Sequence, residues 1–364
     1  MIRLENNRAD KVFLKEYLNE IESLVRSMQG LDDLNDYRLR FEKEFALLFG
    51  VNHAIAVNSG TDALQLALLT LGIGNGDSVI IPDLTYIATG LVVKYVGADP
   101  ILIDVKKIDM TIDENKIEAA IRPNTKAIIA VHMFGNPCNL DKIRRIASKH
   151  KLFVIEDACQ ALGSTFKTVK VGTLSDIGAF SFSYYKPISS LLGNGGMVVF
   201  NNQIYKNRLS DFLDAWKLSP RLTSLDRKFN RMTLVDLATA HVKLRHIDKI
   251  IASKRRIRSL YERGLSGLSS IRFLKEKKDS FVINENFLIF AERRDKLFKY
   301  LGSKKVKSEM PYEPLHQFTS FSQKGKFPIT TNYYKSGLHL PLYSFMLEKE
   351  CLKVIELIES FYKK

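Results

Sequence analysis

Apolar residues fall along this chain in two alternating rhythms. Short runs at residues 54–57, 79–81, 100–103, 127–131, 153–155 and 197–200 are apolar almost throughout and are bounded by polar or glycine-bearing turns. Between most of them lie longer segments with helical spacing, such as 63–69. Residues 10–50 also read as helical, with Leu39, Phe41, Phe45 and Leu48 near one face. A run that is apolar at every position has no face to give to water, so these runs predict strands buried on both sides. Their alternation with helices predicts an α/β fold built on a mostly parallel sheet flanked by helices. Sheets of this kind bind ligands beyond the carboxyl ends of their strands. Two polar turns fall there: Asn58-Ser59-Gly60-Thr61 after the first run, and Glu156-Asp157 after the fifth.

The pattern changes after residue 245. Residues 266–310 carry more charge, with short strand-like pieces at 281–283 and 286–289, and close on Pro311-Tyr312-Glu313-Pro314-Leu315-His316. Residues 1–245 are expected to form a large domain that includes the N-terminal helices, and 246–364 a smaller α+β C-terminal domain. No repeat, low-complexity tract or Pro/Gly linker separates the two, so they are expected to pack tightly.

Composition narrows the class. At 364 residues and 45% hydrophobic the chain can bury a large core. No apolar run reaches the roughly 18 residues that would span a bilayer. The N-terminus mixes both charges without an apolar stretch behind it, which does not fit a secretion signal. Cys138, Cys159 and Cys351 form neither a CxxC nor a zinc spacing, so reduced thiols in the cytoplasm are the expected reading. Lys and Arg number 55 against 40 Asp and Glu, a formal charge of +15, which raises nucleic-acid binding as an alternative. The densest cluster, Lys254-Arg255-Arg256-Ile257-Arg258, lies in a helical pattern that starts near Leu234, and is expected to be a solvated helix face. No helix-turn-helix or zinc-finger module accompanies it. A basic rim also suits anionic substrates such as nucleotide diphosphates.

The residues with chemistry converge on one cofactor. A carboxylate, Asp157, ends a buried run; Ser181 follows in Ala179-Phe180-Ser181-Phe182-Ser183-Tyr184-Tyr185-Lys186; Lys186 precedes the turn Gly193-Asn194-Gly195-Gly196. Pyridoxal phosphate needs a carboxylate for its ring nitrogen, donors for its phosphate and a primary amine for its aldehyde. Gly60 and Thr61 would meet the phosphate at a helix N-terminus, with Ser181 as a further donor. Gln160 would donate to the phenolic oxygen, and Tyr86 would stack on the ring. Lys186 would hold the aldehyde as an imine and, once displaced, carry the proton between substrate and cofactor carbons. Each residue alone also has an ordinary reading: helix caps for Ser59-Gly60-Thr61 and Asp157, a surface glutamine, a core tyrosine, a loop serine. His132 and His316 stay outside the catalytic set, since a lone histidine is more often structural.

These motifs resemble the sugar aminotransferases of the DegT/DnrJ/EryC1 class, pyridoxal-phosphate enzymes of fold type I. The resemblance is carried by Asn58-Ser59-Gly60-Thr61-Asp62-Ala63-Leu64, Leu71-Gly72-Ile73-Gly74-Asn75-Gly76-Asp77, Tyr95-Val96-Gly97-Ala98, Val131-His132-Met133-Phe134-Gly135, Val154-Ile155-Glu156-Asp157-Ala158-Cys159-Gln160-Ala161 and Phe180-Ser181-Phe182. It implies the roles just given for Gly60, Thr61, Tyr86, Asp157, Gln160, Ser181 and Lys186, and a homodimer with shared active sites. It implies a ping-pong reaction through a Lys186 Schiff base, moving an amino group from L-glutamate to C3 or C4 of a nucleotide-linked keto-deoxy sugar. Cyclitol or aminobenzoate-type acceptors fit the same resemblance. Relatives that are sugar dehydratases replace the lysine with histidine, whereas here it is Lys186. The chain departs from the family in three places. The loop after Lys186 is one or two residues longer, and its usual acidic turn residue is Asn194. The asparagine that reaches the partner subunit's phosphate is carried to Asn230 across a one-residue shift. The N-terminal segment that often borders the substrate is here Asp32-Asp33-Leu34-Asn35-Asp36-Tyr37-Arg38.

Overall fold

A computed structural model describes residues 1–3, 8–184, 186–213, 231–321, 323 and 325–363. The chain opens with helices α1 (Arg8–Ser27) and α2 (Leu31–Phe49), then alternates strand and helix. In order come β1 (His53–Val57), α3 (Gly60–Thr70), β2 (Ser78–Pro82), α4 (Ile87–Tyr95), β3 (Asp99–Ile103), α5 (Glu114–Ala120), β4 (Thr125–Val131), α6 (Leu140–His150) and β5 (Phe153–Asp157). A short hairpin, β6 (Thr165–Phe166) and β7 (Val169–Lys170), precedes β8 (Ile177–Ser181), β9 (Gly196–Phe200), α7 (Gln203–Leu213) and α8 (Leu234–Arg245).

The seven long strands form one sheet in the order β1-β9-β8-β5-β4-β2-β3. From β3 to β8 every pairing is parallel, and β9 runs antiparallel to both β8 and β1. Long connections return the chain for a parallel partner, by helices between most strands and by the segment carrying the β6–β7 hairpin between β5 and β8, while β8 and β9 are joined by a loop that reverses the chain. All six apolar runs are strands. The periodicity did not mark β8, because its Gly178 and Ala179 dilute the apolar signal. Small size is needed there, since a side chain on Gly178 would drive into the Gly172 carbonyl.

Apolar layers cover both faces of the sheet. On one, α3 and α4 pack against Ile81, Ile129, Ile155 and Val198. On the other, α2 and α8 enclose an aromatic cluster: the Phe45 and Phe49 rings stack at 4.2 Å, and Phe180 meets both edge-on at 5.4 and 5.0 Å. Phe41 and Phe182 add a further pair at 5.9 Å.

Beyond α8 lie α9 (Ile247–Leu265), β10 (Ile271–Phe273), β11 (Ser280–Phe281), β12 (Phe287–Ala291), α10 (Arg294–Ser303), α11 (Pro328–Ser336), β13 (Gly337–Leu340) and α12 (Glu348–Tyr362). A second sheet, β10-β12-β13, is antiparallel throughout and shares its own core with α9, α10 and α12. β11 leaves it and pairs with β6. Among the described residues no helix is long and apolar enough to cross a membrane.

Two cationic features turn inward. The basic cluster on α9, expected to be a solvated face, buries Lys254 and Arg258, which bond to loop carbonyls and to Asn284. Lys243 of α8 is also buried, and burial holds its ammonium below the ordinary lysine range although Asp10 of α1 lies at 2.6 Å. It donates to Ser189 Oγ at 2.6 Å, and Leu191 N donates to Thr239 Oγ1 at 2.9 Å, so α1 and α8 together pin the loop after Lys186. Removing one partner of a buried pair strands the other charge. Lys243→Ala is therefore expected to lower unfolding stability by about 3 kcal/mol; urea denaturation checks this, and Lys243→Met with Asp10→Asn should recover part of the loss.

Candidate functional site

A cavity of about 370 Å³ opens at the carboxyl ends of β1, β5 and β8. Its floor starts from β1, whose chain turns at Ser59 into α3. Ser59 caps the helix by accepting from Asp62 N at 3.0 Å, and the first turn, Gly60 and Thr61, lines the cavity with the positive end of the helix dipole. Gly60 is required by proximity: a Cβ there would stand 2.8 Å from both Cys159 Sγ and Ser181 Cβ. That contact brings the ends of β1, β5 and β8 together.

Asp157 closes β5, almost fully buried. Its Oδ2 accepts from Thr89 Oγ1 at 2.9 Å and its Oδ1 from Cys159 N at 3.2 Å, so the carboxylate both caps a turn and faces the cavity. Thr89 is in turn oriented by Thr85 Oγ1 at 2.9 Å. Gln160 is equally fixed: its Oε1 accepts from Phe134 N at 3.0 Å, which commits the carbonyl end to the protein and leaves the amide NH₂ for the cavity. Ser181 ends β8, with its Oγ 3.3 Å from Ser183 Oγ. Tyr86 precedes α4 at the cavity mouth, 56% exposed and edge-on to Tyr312 at 6.1 Å, so it is not a core tyrosine. Lys186 donates to Glu285 Oε1 at 2.6 Å.

Gly60, Thr61, Tyr86, Asp157, Gln160, Ser181 and Lys186 thus line one cavity, and Asn230 lies outside the described residues. The sequence reading missed the wall supplied after residue 245, namely Glu285, Asn286, Glu309 and Tyr312. The strand-like piece at 286–289 and the Pro311-Tyr312-Glu313-Pro314-Leu315-His316 segment mark this region in the sequence without marking a site. His132 and His316 do not line the cavity. His132 accepts from Cys138 N through Nδ1 at 3.1 Å, which leaves Nε2–H to donate to Glu156 at 3.0 Å. Glu156 also accepts from Gly172 N and Leu174 N, both at 2.7 Å, so this pair braces the strand ends beneath Asp157. His316 meets Asp83 through Nδ1 at 2.7 Å and through its backbone N–H at 2.8 Å. Burial raises the Asp83 carboxyl above its usual range.

The donor set fits pyridoxal phosphate. One buried carboxylate is fixed by two donors, one primary amine lines the same cavity, and a helix N-terminus with hydroxyls makes an anion cradle where a Cβ on Gly60 would meet Cys159 and Ser181.

Comparison with known proteins agrees with this geometry. The family model described as the DegT/DnrJ/EryC1/StrS aminotransferase family matches residues 14–359. A GDP-perosamine synthase of Escherichia coli O157:H7 is 36% identical over 355 residues, covering 96% of this chain and 95% of the relative. A dTDP-3-amino-3,4,6-trideoxy-alpha-D-glucose transaminase of Streptomyces venezuelae is 32% identical, covering 89% of this chain and 86% of the relative. The crystal structure of S. venezuelae DesV in complex with a ketimine intermediate superposes with a TM-score of 0.91 at 29% identity, covering 100% of this chain and 99% of that one.

The late wall of the cavity rests on a buried histidine. His339 on β13 stands between Asn286 Oδ1 at 2.7 Å and Tyr333 Oη at 2.9 Å, and Tyr333 Oη accepts from Tyr312 N at 3.2 Å. Burial lowers His339 from 6.5 to about 3, so the ring stays neutral and donates from Nδ1 to Asn286. Between those two values the unfolded chain binds a proton that the folded chain refuses, so stability falls as pH drops from 6.5 towards 3. The expected contribution is at most about 1.4 kcal/mol per pH unit. Urea midpoints of wild type and His339→Gln at several pH values check it; the variant's stability should depend less steeply on pH.

Proposed function

Because this chain belongs to the DegT/DnrJ/EryC1/StrS aminotransferase family, we propose that it uses pyridoxal phosphate to move an amino group from L-glutamate to a keto carbon, C3 or C4, of a nucleotide-linked keto-deoxy sugar. The convergence of Lys186, Asp157 and the Ser59-Gly60-Thr61 turn on one cavity supports this reading above any other feature. The relatives' names support the acceptor class, one naming a GDP-linked and the other a dTDP-linked compound. An intact Lys186 favours amino transfer over the dehydration of relatives that carry histidine there.

Bound in this cavity, the cofactor supplies an aldehyde that exchanges amines and a ring that takes up electrons from the substrate carbon. The residues do the rest. Asp157, fixed by Thr89 and Cys159 N, would keep a proton on the ring nitrogen. The first turn of α3, with Thr61 and Ser181, would hold the phosphate, and the Gln160 NH₂ would donate to the phenolic oxygen. Tyr86 would cover the ring at the mouth. Lys186 would bind the aldehyde and, when displaced, move the proton at the substrate carbon. Asn230 would reach the phosphate of the partner subunit in a homodimer whose sites are shared. Residues 1–245 would then serve as the cofactor-binding domain and 246–364 as the smaller domain that closes the cavity with Glu285, Asn286, Glu309 and Tyr312. The three unpaired cysteines suit a reducing cytoplasm.

Titration of the purified protein with pyridoxal phosphate tests the reading. Wild type should shift the absorbance of pyridoxal phosphate to a longer-wavelength band that L-glutamate bleaches, and Lys186→Ala should leave the absorbance of the free aldehyde unshifted. Glutamate-dependent amination of a nucleotide keto sugar should fall at least about a thousandfold in Lys186→Ala. A wild type that leaves the absorbance unshifted would sink the proposal.

A further inference from the structure

The hydrogen-bond relay behind the far wall has a direction. Tyr312 N donates to Tyr333 Oη at 3.2 Å, so that hydroxyl already accepts and its own proton needs an acceptor. Tyr333 is fully buried, and among the described residues the acceptor within reach is His339 Nε2 at 2.9 Å. A ring nitrogen that accepts leaves the proton on the other one. That nitrogen, Nδ1, lies 2.7 Å from Asn286 Oδ1, so the carbonyl end of Asn286 is committed to the protein. The amide NH₂ has no acceptor among the described residues, and Asn286 lines the cavity. The opposite polarity fails at Tyr333: were His339 Nε2 to donate, the buried hydroxyl would be left without an acceptor, which folded proteins avoid. Strand register adds a second group. His339 lies opposite both Leu288 of β12 and Glu309, and residues opposite one another in paired strands project to the same side. Asn286 stands two positions before Leu288 and shares that side, so the amide and the Glu309 carboxylate project from one face into one cavity.

We propose that Asn286 determines acceptor specificity: its amide N–H groups donate to the oxygen of a sugar hydroxyl, and the Glu309 carboxylate accepts the hydrogen bond which that hydroxyl returns. The proposal rests on the aminotransferase reading, which supplies a hydroxylated acceptor. A hydroxyl satisfies a donor and an acceptor at once. The carboxylates of L-glutamate only accept, and at this wall they would meet Glu285 and Glu309. Asn286 therefore favours the sugar over the amino donor in a cavity that both must enter. His339 and Tyr333 do not line that cavity; they are positioning residues that keep the amide turned with its nitrogen inward.

Two measurements test this. The first needs no cofactor: ring nitrogen-15 spectra of histidine-labelled full-length protein at near-neutral pH, with the His339 signals assigned by their loss in His339→Gln. The proton is expected on Nδ1. A proton on Nε2 overturns the proposal, because Asn286 would then present its oxygen. The second uses protein loaded with pyridoxal phosphate, mixed with L-glutamate or, in the reverse direction, with GDP-perosamine or dTDP-3-amino-3,4,6-trideoxy-alpha-D-glucose, compounds named for the two relatives. Bleaching of the long-wavelength band is followed against concentration, with thermal melting as the control for folding. Asn286→Asp keeps the acceptor for His339 and removes the donor. Its half-saturating concentration for an amino sugar should rise at least about tenfold more than that for L-glutamate, with a smaller change in limiting rate. If Asn286→Asp fails to fold, Asn286→Ala should show the same preference. Equal losses with sugar and glutamate overturn the proposal, since they mean only a loosened wall. So does a wild type that L-glutamate bleaches and neither amino sugar does. A wild type that L-glutamate fails to bleach sinks the aminotransferase reading itself, and the nitrogen-15 result keeps the two failures apart.

Discussion

A pair of backbone hydrogen bonds at Gly195 fastens the site together. Gly195 N donates to the Asn58 carbonyl at 2.6 Å, and the Gly195 carbonyl accepts from Phe182 N at 2.8 Å. These bonds join the end of β1, the start of β9 and the end of β8, which are the segments that deliver the Ser59-Gly60-Thr61 turn, the lysine loop and Ser181. The geometry depends on missing side chains. Gly195 has φ +137°, a region that L side chains rarely adopt, and a Cβ on Gly196 would stand 2.5 Å from the Ser59 carbonyl. Because β9 runs antiparallel between two strands that share a direction, the loop from β8 must come back over the strand ends where the cavity lies. Lys186 reaches the cavity because of that reversal.

The positive charge of the chain is partly an internal matter. Lys243 anchors the loop after Lys186, and Lys254, Arg255 and Arg258 anchor the segment that carries Glu285. Burying a cation costs solvation, which only a well-placed acceptor offsets, so the buried Lys243, Lys254 and Arg258 each tie the partner loop to one position. Two such loops meet at Nζ of Lys186. Charge counting alone had pointed outward, to a solvated face or to nucleic acid, because composition carries no information about which side of α9 meets the neighbouring loop.

The fold was legible wherever a strand is buried on both faces and therefore apolar throughout. Six of the seven strands of the large sheet announced themselves this way, and β8 did not, since close approach to Gly172 demands a glycine where the pattern would want bulk. The cavity-lining residues were legible for a related reason. Gly60, Thr61, Tyr86, Asp157 and Ser181 each sit at the end of a strand or the start of the next helix, so chemistry and local structure are written in the same few positions. Gln160 shows the limit: its side chain is recognisable from sequence, but its orientation comes from Phe134 N, 26 positions away.

The far wall was not legible because nothing local defines it. Glu285 and Asn286 lie just before β12, Glu309 pairs its backbone with His339 of β13, and Tyr312 hangs from Tyr333 of α11. None of these carries a turn signature or a periodicity that distinguishes it from surface charge. Their placement comes from packing of the second sheet and from the inward-turned cations of α9. A group that reacts the same way in every cycle can be supplied by short motifs at strand ends. The residues that line the cavity from one side are accordingly readable between positions 58 and 186, while the wall opposite is assembled by the fold from residues 285 to 312.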